Sequence, residues 1–306
     1  MNQTPLCTNL LGSGPYARSA APYRLLEIVG PEAGDFLQRL CTQDVLGLDE
    51  GVVLPAAFLD AKGKLLVTAL AFRRGESFWL ELQAEQSDRL QELLERYHFT
   101  EKLTIHSRDL GQVHEHVAGD GSQAFVGECH WSEHAAGPVL HIERRGVAFT
   151  RGHGGPLVES DVTPEPLDEV LAEAARMLAG FVRVGLETEA STLALEADLD
   201  DHCSTSKGCY TGQEIVARIH TYGKVNRKLC LLKMAAGERI AEPVALHECE
   251  DDIPVGRVMH AVQLSAQGER LGLGYLPKDF QAVGTKLTLL GDSEVEVVGF
   301  AVGEST

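Results

Sequence analysis

The segment Lys207-Gly208-Cys209-Tyr210-Thr211-Gly212-Gln213-Glu214 sets a thiol, an amine and two glycines ahead of the helix-like run Ile215 to His220. Thiolate rather than thiol is the nucleophile and metal ligand, so the question is what would favour it here. Thr211 and Glu214 fit the S/T-x-x-E capping box, which predicts a helix starting at Gly212. Cys209 would then stand just before the positive end of that helix and two residues from Lys207, and both features stabilise a thiolate. Gly208 and Gly212 predict positive φ or close backbone approach on either side of the cysteine. The residues alone leave two readings open: a reactive cysteine, or a small apolar filler of the kind most unpaired cysteines are.

Other residue groups are less pointed. Seven cysteines, at 7, 41, 129, 203, 209, 230 and 249, are odd in number and scattered, which argues against a disulfide framework and for a reducing compartment. None forms a C-x-x-C pair, and the adjacent ligand types in His202-Cys203 and His247-Glu248-Cys249 lack metal-site spacing, so no metal is expected. Arg218, Lys224, Arg227 and Lys228 form a basic cluster that could hold an anionic cofactor or simply end a helix. Gly12-Ser13-Gly14, Gly152-His153-Gly154-Gly155 and Gly272-Leu273-Gly274 lack the helix and spaced acid of a dinucleotide fingerprint and read as plain turns.

The elements that must position these residues read as α+β. Tyr23 to Val29 predicts a strand, and a helix follows Gly30-Pro31 with Phe36, Leu37 and Leu40 on one face. Val52 to Leu59, Leu65 to Phe72 and Ser77 to Leu82 predict three antiparallel strands, separated by turns at Asp60-Ala61-Lys62-Gly63 and Arg73-Arg74-Gly75-Glu76. Ser87 caps a helix carrying Leu90, Leu93, Leu94 and Tyr97, and Leu103 to Ser107 returns as a strand. Gly119 to Pro138 reads as a loop or junction. After Pro166, the stripe Leu167, Val170, Leu171, Ala174, Ala175, Leu178 predicts a helix ending at Gly180. Beyond about residue 226 short strands predominate: Leu229 to Met234, Pro254 to Met259, Leu271 to Leu276 and Leu287 to Phe300. This divides the chain into an α+β region over 1–118 and 139–226, as two intertwined units, and a β domain over 227–306.

With 306 residues the chain is long enough for several cores. Its 27 Lys and Arg against 45 Asp and Glu give a net charge of −18, a field that repels nucleic-acid phosphates and anionic membranes, so neither is an expected partner. Met1 to Gly14 shows no export signal and no run of about 18 apolar residues occurs, which predicts a cytoplasmic protein. A monomer is the favoured state.

The octapeptide resembles the signature K-G-C-Y-x-G-Q-E of the YgfZ family, in the glycine-cleavage T-protein superfamily. Glu196, Ala217-Arg218, Arg227-Lys228-Leu229, Asp60-x-Lys62-Gly63 and Thr42-Gln43-Asp44-Val45 also follow the family pattern. The resemblance implies three domains around a central channel, ending in a small all-β, barrel-like domain, with the cysteine motif facing the channel. It implies a tetrahydrofolate-binding protein that supports iron–sulfur client proteins, including tRNA-modifying ones, with Cys209 reactive and Lys207 supporting it electrostatically at the catalytic site. Folate contacts would come from Glu189, Tyr210, Gln213, Arg218 and Arg227, with Glu189 matching the T-protein glutamate that contacts the pterin. Gly63 to Thr68 departs from the T-protein, putting Val67 and Thr68 where paired aspartates handle protons. Two alternatives stay open, a T-protein-like aminomethyltransferase and a noncatalytic docking module.

Overall fold

The structure, a computed structural model, describes residues 10–11, 15–119, 129–157, 164–223, 225–237, 240, 242–249, 253–264, 268–289 and 293–300. Most of the amino-terminal stretch read for an export signal, the Gly12-Ser13-Gly14 cluster, Cys7 and Lys224 lie outside these residues. Among the described residues no helix is long and apolar enough to cross a membrane.

Strands form where apolar and polar residues alternate or where apolar runs are bounded by turns. Strand β1 is Tyr16–Arg18 and β2 is Tyr23–Val29. Helix α1, Ala33–Leu40, leads to β3 (Val53–Leu59), β4 (Leu65–Arg74) and β5 (Ser77–Gln83). Helix α2, Ser87–Tyr97, and β6, Thr104–Arg108, complete the first unit. Its five strands lie in the order β3-β4-β5-β2-β6, all antiparallel, as the turn signals predicted. Asp60 makes the β3–β4 turn: its Oδ1 accepts from the amides of Lys62 (2.8 Å) and Lys64 (2.9 Å), and Gly63 takes φ +75°. Both helices cover one face, burying Phe36, Leu37, Leu90 and Leu94 against Leu26, Phe58 and Leu80. Ser87 is not a cap but the first helical residue, because a 3-10 turn at Ala84–Gln86 feeds the helix directly.

The second sheet has the order β11-β1-β7-β10-β9-β8, from β7 (Val113–Ala118), β8 (His130–His134), β9 (Gly137–Arg144), β10 (Val147–His153) and β11 (Glu165–Pro166). Of the expected loop across residues 119–138, residues 120–128 lie outside the described residues, and strand β8 with the start of β9 corrects the remainder. In His130-Trp131-Ser132-Glu133-His134 only Trp131 is fully buried, so the strand carries too little apolar sequence to be seen before its partner is known. The uncovered face of the first sheet packs here, with Phe72 5.4 Å from Trp131 between ring centroids. Helix α3, Glu169–Leu178, starts at Asp168, whose Oδ1 accepts from the Leu171 amide at 2.7 Å, and Gly180 follows it at φ +70°. Val170 shares the apolar period of that helix but faces solvent.

Helix α4, Gln213–Tyr222, precedes a closed six-stranded barrel. The barrel strands are β12 (Arg227–Met234), β13 (Val244–Glu248), β14 (Pro254–Gln263), β15 (Arg270–Pro277), β16 (Lys286–Leu289) and β17 (Ser293–Gly299). Strand β13 went unread because Leu246 is its one fully buried residue. Gly272 and Gly274 are not a turn but lie mid-strand in β15. A Cβ on Gly272 would meet Met234 Cε at 2.4 Å, and one on Gly274 would meet Arg257 O and Leu232 Cδ1 at 2.7 Å. Gly152, too, is within β10 rather than in a turn.

Candidate functional site

The octapeptide follows a 3-10 turn, Asp200–His202, in which His202 alone is buried, and leads to the start of α4. Lys207 is its anchor. The side chain is buried, and its Nζ donates to the carbonyls of Cys41 (2.8 Å) and Gln43 (2.6 Å) while standing 5.0 Å from the Tyr210 ring centroid. Burial holds the Lys207 pKa below its ordinary value. The ammonium is therefore directed at the segment after α1, the Thr42-Gln43-Asp44-Val45 stretch, rather than set beside the thiol. That stretch grips the neighbourhood from its own side. Thr42 Oγ1 donates to His202 O and accepts from the Ala57 amide, and Gln43 Nε2 donates to Pro55 O and Asp201 O.

The capping box does not form. Gly212 is the N-cap at φ +82°, the helix begins at Gln213, and no side chain caps it. Thr211 is drawn away: its amide donates to Arg39 O at 3.0 Å and its hydroxyl reaches the same oxygen at 3.5 Å. A left-handed residue at the cap turns the chain so that the threonine hydroxyl no longer faces the free amides. Gly212 also has the close approach predicted for it, since a Cβ there would lie 2.7 Å from Asp60 O. Gly208 has neither, because its surroundings are open to 4 Å and its φ is not positive.

Cys209 is exposed, as is Cys249, whereas Cys41, Cys203 and Cys230 are buried and Cys129 is half-buried. Burial pushes the thiols of Cys203 and Cys230 up to about 12. Tyr210 is buried beneath the loop, and Gln213 is half-buried, its amide donating to Tyr210 O at 3.1 Å.

The remaining site residues gather beside α4. Arg218 lines a cavity of about 360 Å³ with Leu193, Glu196, Ile215, Ile219 and Val225. Glu196 pairs with Arg227 Nε at 3.5 Å, and Arg227 Nη2 reaches Glu189 at 3.3 Å. Arg257 holds the other Glu189 oxygen at 2.7 Å, so the Glu189 carboxylate already has two cationic partners. Arg227 and Arg257 line a second cavity, of about 500 Å³, with Tyr275. Among its described members the basic cluster divides: Lys228 is bound to Asp198 and Asp200, Arg227 to Glu189 and Glu196, and Arg218 faces the first cavity.

Sequence reasoning missed the buried charges. Between the first two sheets, a cavity of about 40 Å³ is lined by Tyr23, Thr68, Glu81, Gln83, Arg151 and His202. Glu81 accepts from Arg151 and from His153 (2.7 Å), and Arg151 also donates to Glu115. Asp201 binds His202 Nδ1 at 2.8 Å and both Nε and Nη2 of Arg144. Arg176 is buried against Glu187 and Glu173. Glu115, Arg151 and His153 sit at inward-facing strand positions, but nothing in their residue types marks them as buried. Val67 is fully buried, and Thr68 alone of that pair reaches the cavity.

No family model matches the chain. It is 29% identical over 273 residues, 80% of each chain, to the tRNA-modifying protein YgfZ of Cronobacter sakazakii, and 28% identical over 267 residues to that of Escherichia coli O45:K1. The resemblance is to the YgfZ family. A second relative is the mitochondrial iron-sulfur cluster assembly factor IBA57 homolog of Pyricularia oryzae, 28% identical over 232 residues. That match spans 71% of this chain and 58% of the relative, so the chain covers little more than half of that protein. The fold matches the glycine cleavage system aminomethyltransferase T of Bartonella henselae with a TM-score of 0.70, over 97% of this chain and 88% of that one, at 15% identity. The YgfZ likeness and the T-protein fold thus agree, and the α+β architecture with its closed terminal barrel is the one the resemblance implied.

Proposed function

We propose that the chain is a folate-binding protein that supports iron–sulfur cluster assembly or repair in client proteins, including tRNA-modifying enzymes, with Cys209 as its working thiol. The observation that carries this is the octapeptide loop, which leaves Cys209 exposed while Lys207 fastens the loop to two backbone carbonyls. A thiol meant for packing would be buried, as Cys41 and Cys203 are. The support for a reactive thiol is thus exposure on a fixed loop, with Lys207 positioning that loop.

In this reading tetrahydrofolate occupies the cavity beside α4. Glu196 lines it, and a carboxylate there accepts the paired N–H donors of a pterin as charge-assisted hydrogen bonds. Arg218 faces the same cavity as a free cation for an anionic part of the ligand, while Arg227 is paired with Glu196 and orients that carboxylate. Glu189 enters the site through Arg227, and Tyr210 and Gln213 set the start of the helix that forms its wall. Calorimetry with tetrahydrofolate tests this. Glu196→Gln keeps the shape and removes a charged acceptor, which should weaken binding by about 1.5–3 kcal/mol, and Glu189→Gln should weaken it less. Unchanged binding by both variants would show the pterin assignment to be wrong.

The protein is not a true glycine-cleavage aminomethyltransferase in this reading. Val67 is sealed in the core and Thr68 has no carboxylate. Glu81, on the same cavity, is committed to Arg151 and His153. General acid–base groups supply about 10²- to 10⁴-fold in rate, so release of ammonia and methylene-tetrahydrofolate from aminomethyl-lipoyl carrier protein should be negligible. Turnover at the rate of a genuine T-protein would refute this.

A further inference from the structure

Helix α1 has an exposed apolar residue fastened on either side of it. Phe99 is 80% exposed and Leu46 is 53% exposed. A single apolar side chain at the surface is ordinary, but these two are held in place. The amides of Phe99 and Thr100 both donate to Glu101 Oε2 at 3.1 Å, and the other oxygen of that carboxylate accepts from Arg39 of α1 at 2.7 Å. The preceding ring, His98, packs edge-on against Phe36 of the same helix. Leu46 is fixed from the other side, its amide and that of Val45 donating to Gln38 Oε1. The loop that carries Cys209 is tied to the same two places. Its Thr211 amide donates to Arg39 O, and its Lys207 ammonium donates to Gln43 O, three residues before Leu46.

We propose that this face is the surface on which a client protein docks to reach Cys209, with Phe99 as the anchor and Leu46 as the second apolar contact. The inference rests on the reading of Cys209 as the working thiol for such clients. An aromatic ring already fixed on a turn loses little freedom on binding, and buried aromatic anchors carry much of the energy of an interface. An interface of standard size covers about 800 Å² on each partner, enough to take in both apolar residues and the thiol loop across one short helix. Charge selects the partner. The chain carries a net −18, Arg39 is neutralised by Glu101, and Asp35 is exposed on α1 one turn before Arg39. A field of that sign draws in a protein with a basic surface, and enzymes that bind tRNA carry one. The occupant is therefore a client with a basic rim around an apolar pocket.

The test complements a strain lacking the protein at matched expression and reads a tRNA modification made by an iron–sulfur enzyme. Phe99→Asp should lower the restored modification about tenfold, as loss of an interface anchor does. Leu46→Asp and the charge reversal Asp35→Lys should lower it less, and Phe99→Leu, which keeps an apolar side chain, should retain most of it. Ile253→Asp, at a residue 51% exposed in the barrel domain, should restore it fully. The purified variants should keep the wild-type melting temperature and the wild-type rate of Cys209 alkylation by a small reagent, since only a protein partner needs this surface. The proposal alone is overturned if Phe99→Asp and Leu46→Asp restore as wild type does while Cys209→Ala does not, or if Phe99→Asp slows the small reagent as much as it lowers the modification. A rise with Asp35→Lys would overturn the basic partner. Full restoration by Cys209→Ala would remove the reading beneath, and this proposal with it.

Discussion

Lys207 spends its charge on two carbonyls more than 160 residues away in sequence, and this decides how Cys209 is presented. A hydrogen bond to a charged group contributes about 1.5–3 kcal/mol. Lys207→Met should therefore lower the unfolding free energy by about 2 kcal/mol in urea titration. Limiting alkylating reagent on the folded protein should modify Cys209 and Cys249 ahead of Cys41, Cys129, Cys203 and Cys230, as read by peptide mass mapping. Equal modification of the buried thiols would mean that the loop does not hold. The octapeptide was legible in sequence because its residue types are dense. The role of Lys207 was not, since carbonyl acceptors at 41 and 43 carry no side-chain signal, and the competing acceptor for Thr211, Arg39 O, is equally silent.

At the scale of elements, the β3–β4 turn and the start of α4 are fitted to each other through two glycines. A Cβ on Gly63 would lie 2.7 Å from the Cβ of Ile215, and one on Gly212 would lie 3.2 Å from the Cα of Gly63, with both residues at positive φ. Left-handed strain in a non-glycine residue costs about 1–3 kcal/mol before any clash. Gly63→Ala and Gly212→Ala should each destabilise by at least that amount. The double variant should lose less than the sum, because both break one contact. Additive losses in a double-mutant cycle would separate the two elements. Strands β2 to β6 were readable from alternation and turn residues. Strands β8 and β13, with one fully buried residue each, borrow their order from neighbours and could not be read.

Across the whole molecule, buried polar contacts tie the sheets together: Glu81 on the first sheet is ion-paired with Arg151 and hydrogen-bonded to His153 on the second. Burial alone would raise the Glu81 carboxyl, but Arg151 and His153 outweigh it and hold the pKa below the ordinary value. The same holds for Asp201, lowered by His202 and Arg144. A carboxyl lowered in the fold contributes stability above its unfolded pKa, near 4, and loses it as pH falls toward the folded value. His141, held neutral to about 4, acts in the same direction from about pH 6.5 downward. The melting temperature should thus fall as pH drops from about 6.5, most steeply below about 4, and Glu81→Gln should flatten that lower limb. These pairs were invisible in sequence, because whether a strand arginine meets solvent or a buried glutamate depends on which sheet covers it. The proposed role in iron–sulfur maintenance rests on the exposed Cys209 thiol. A strain lacking the protein is complemented with wild type or Cys209→Ala at matched expression, and the activity of an iron–sulfur enzyme is read. Wild type should restore that activity and Cys209→Ala should not, while still folding and binding tetrahydrofolate. Full restoration by Cys209→Ala would show that the thiol is not what the protein works with.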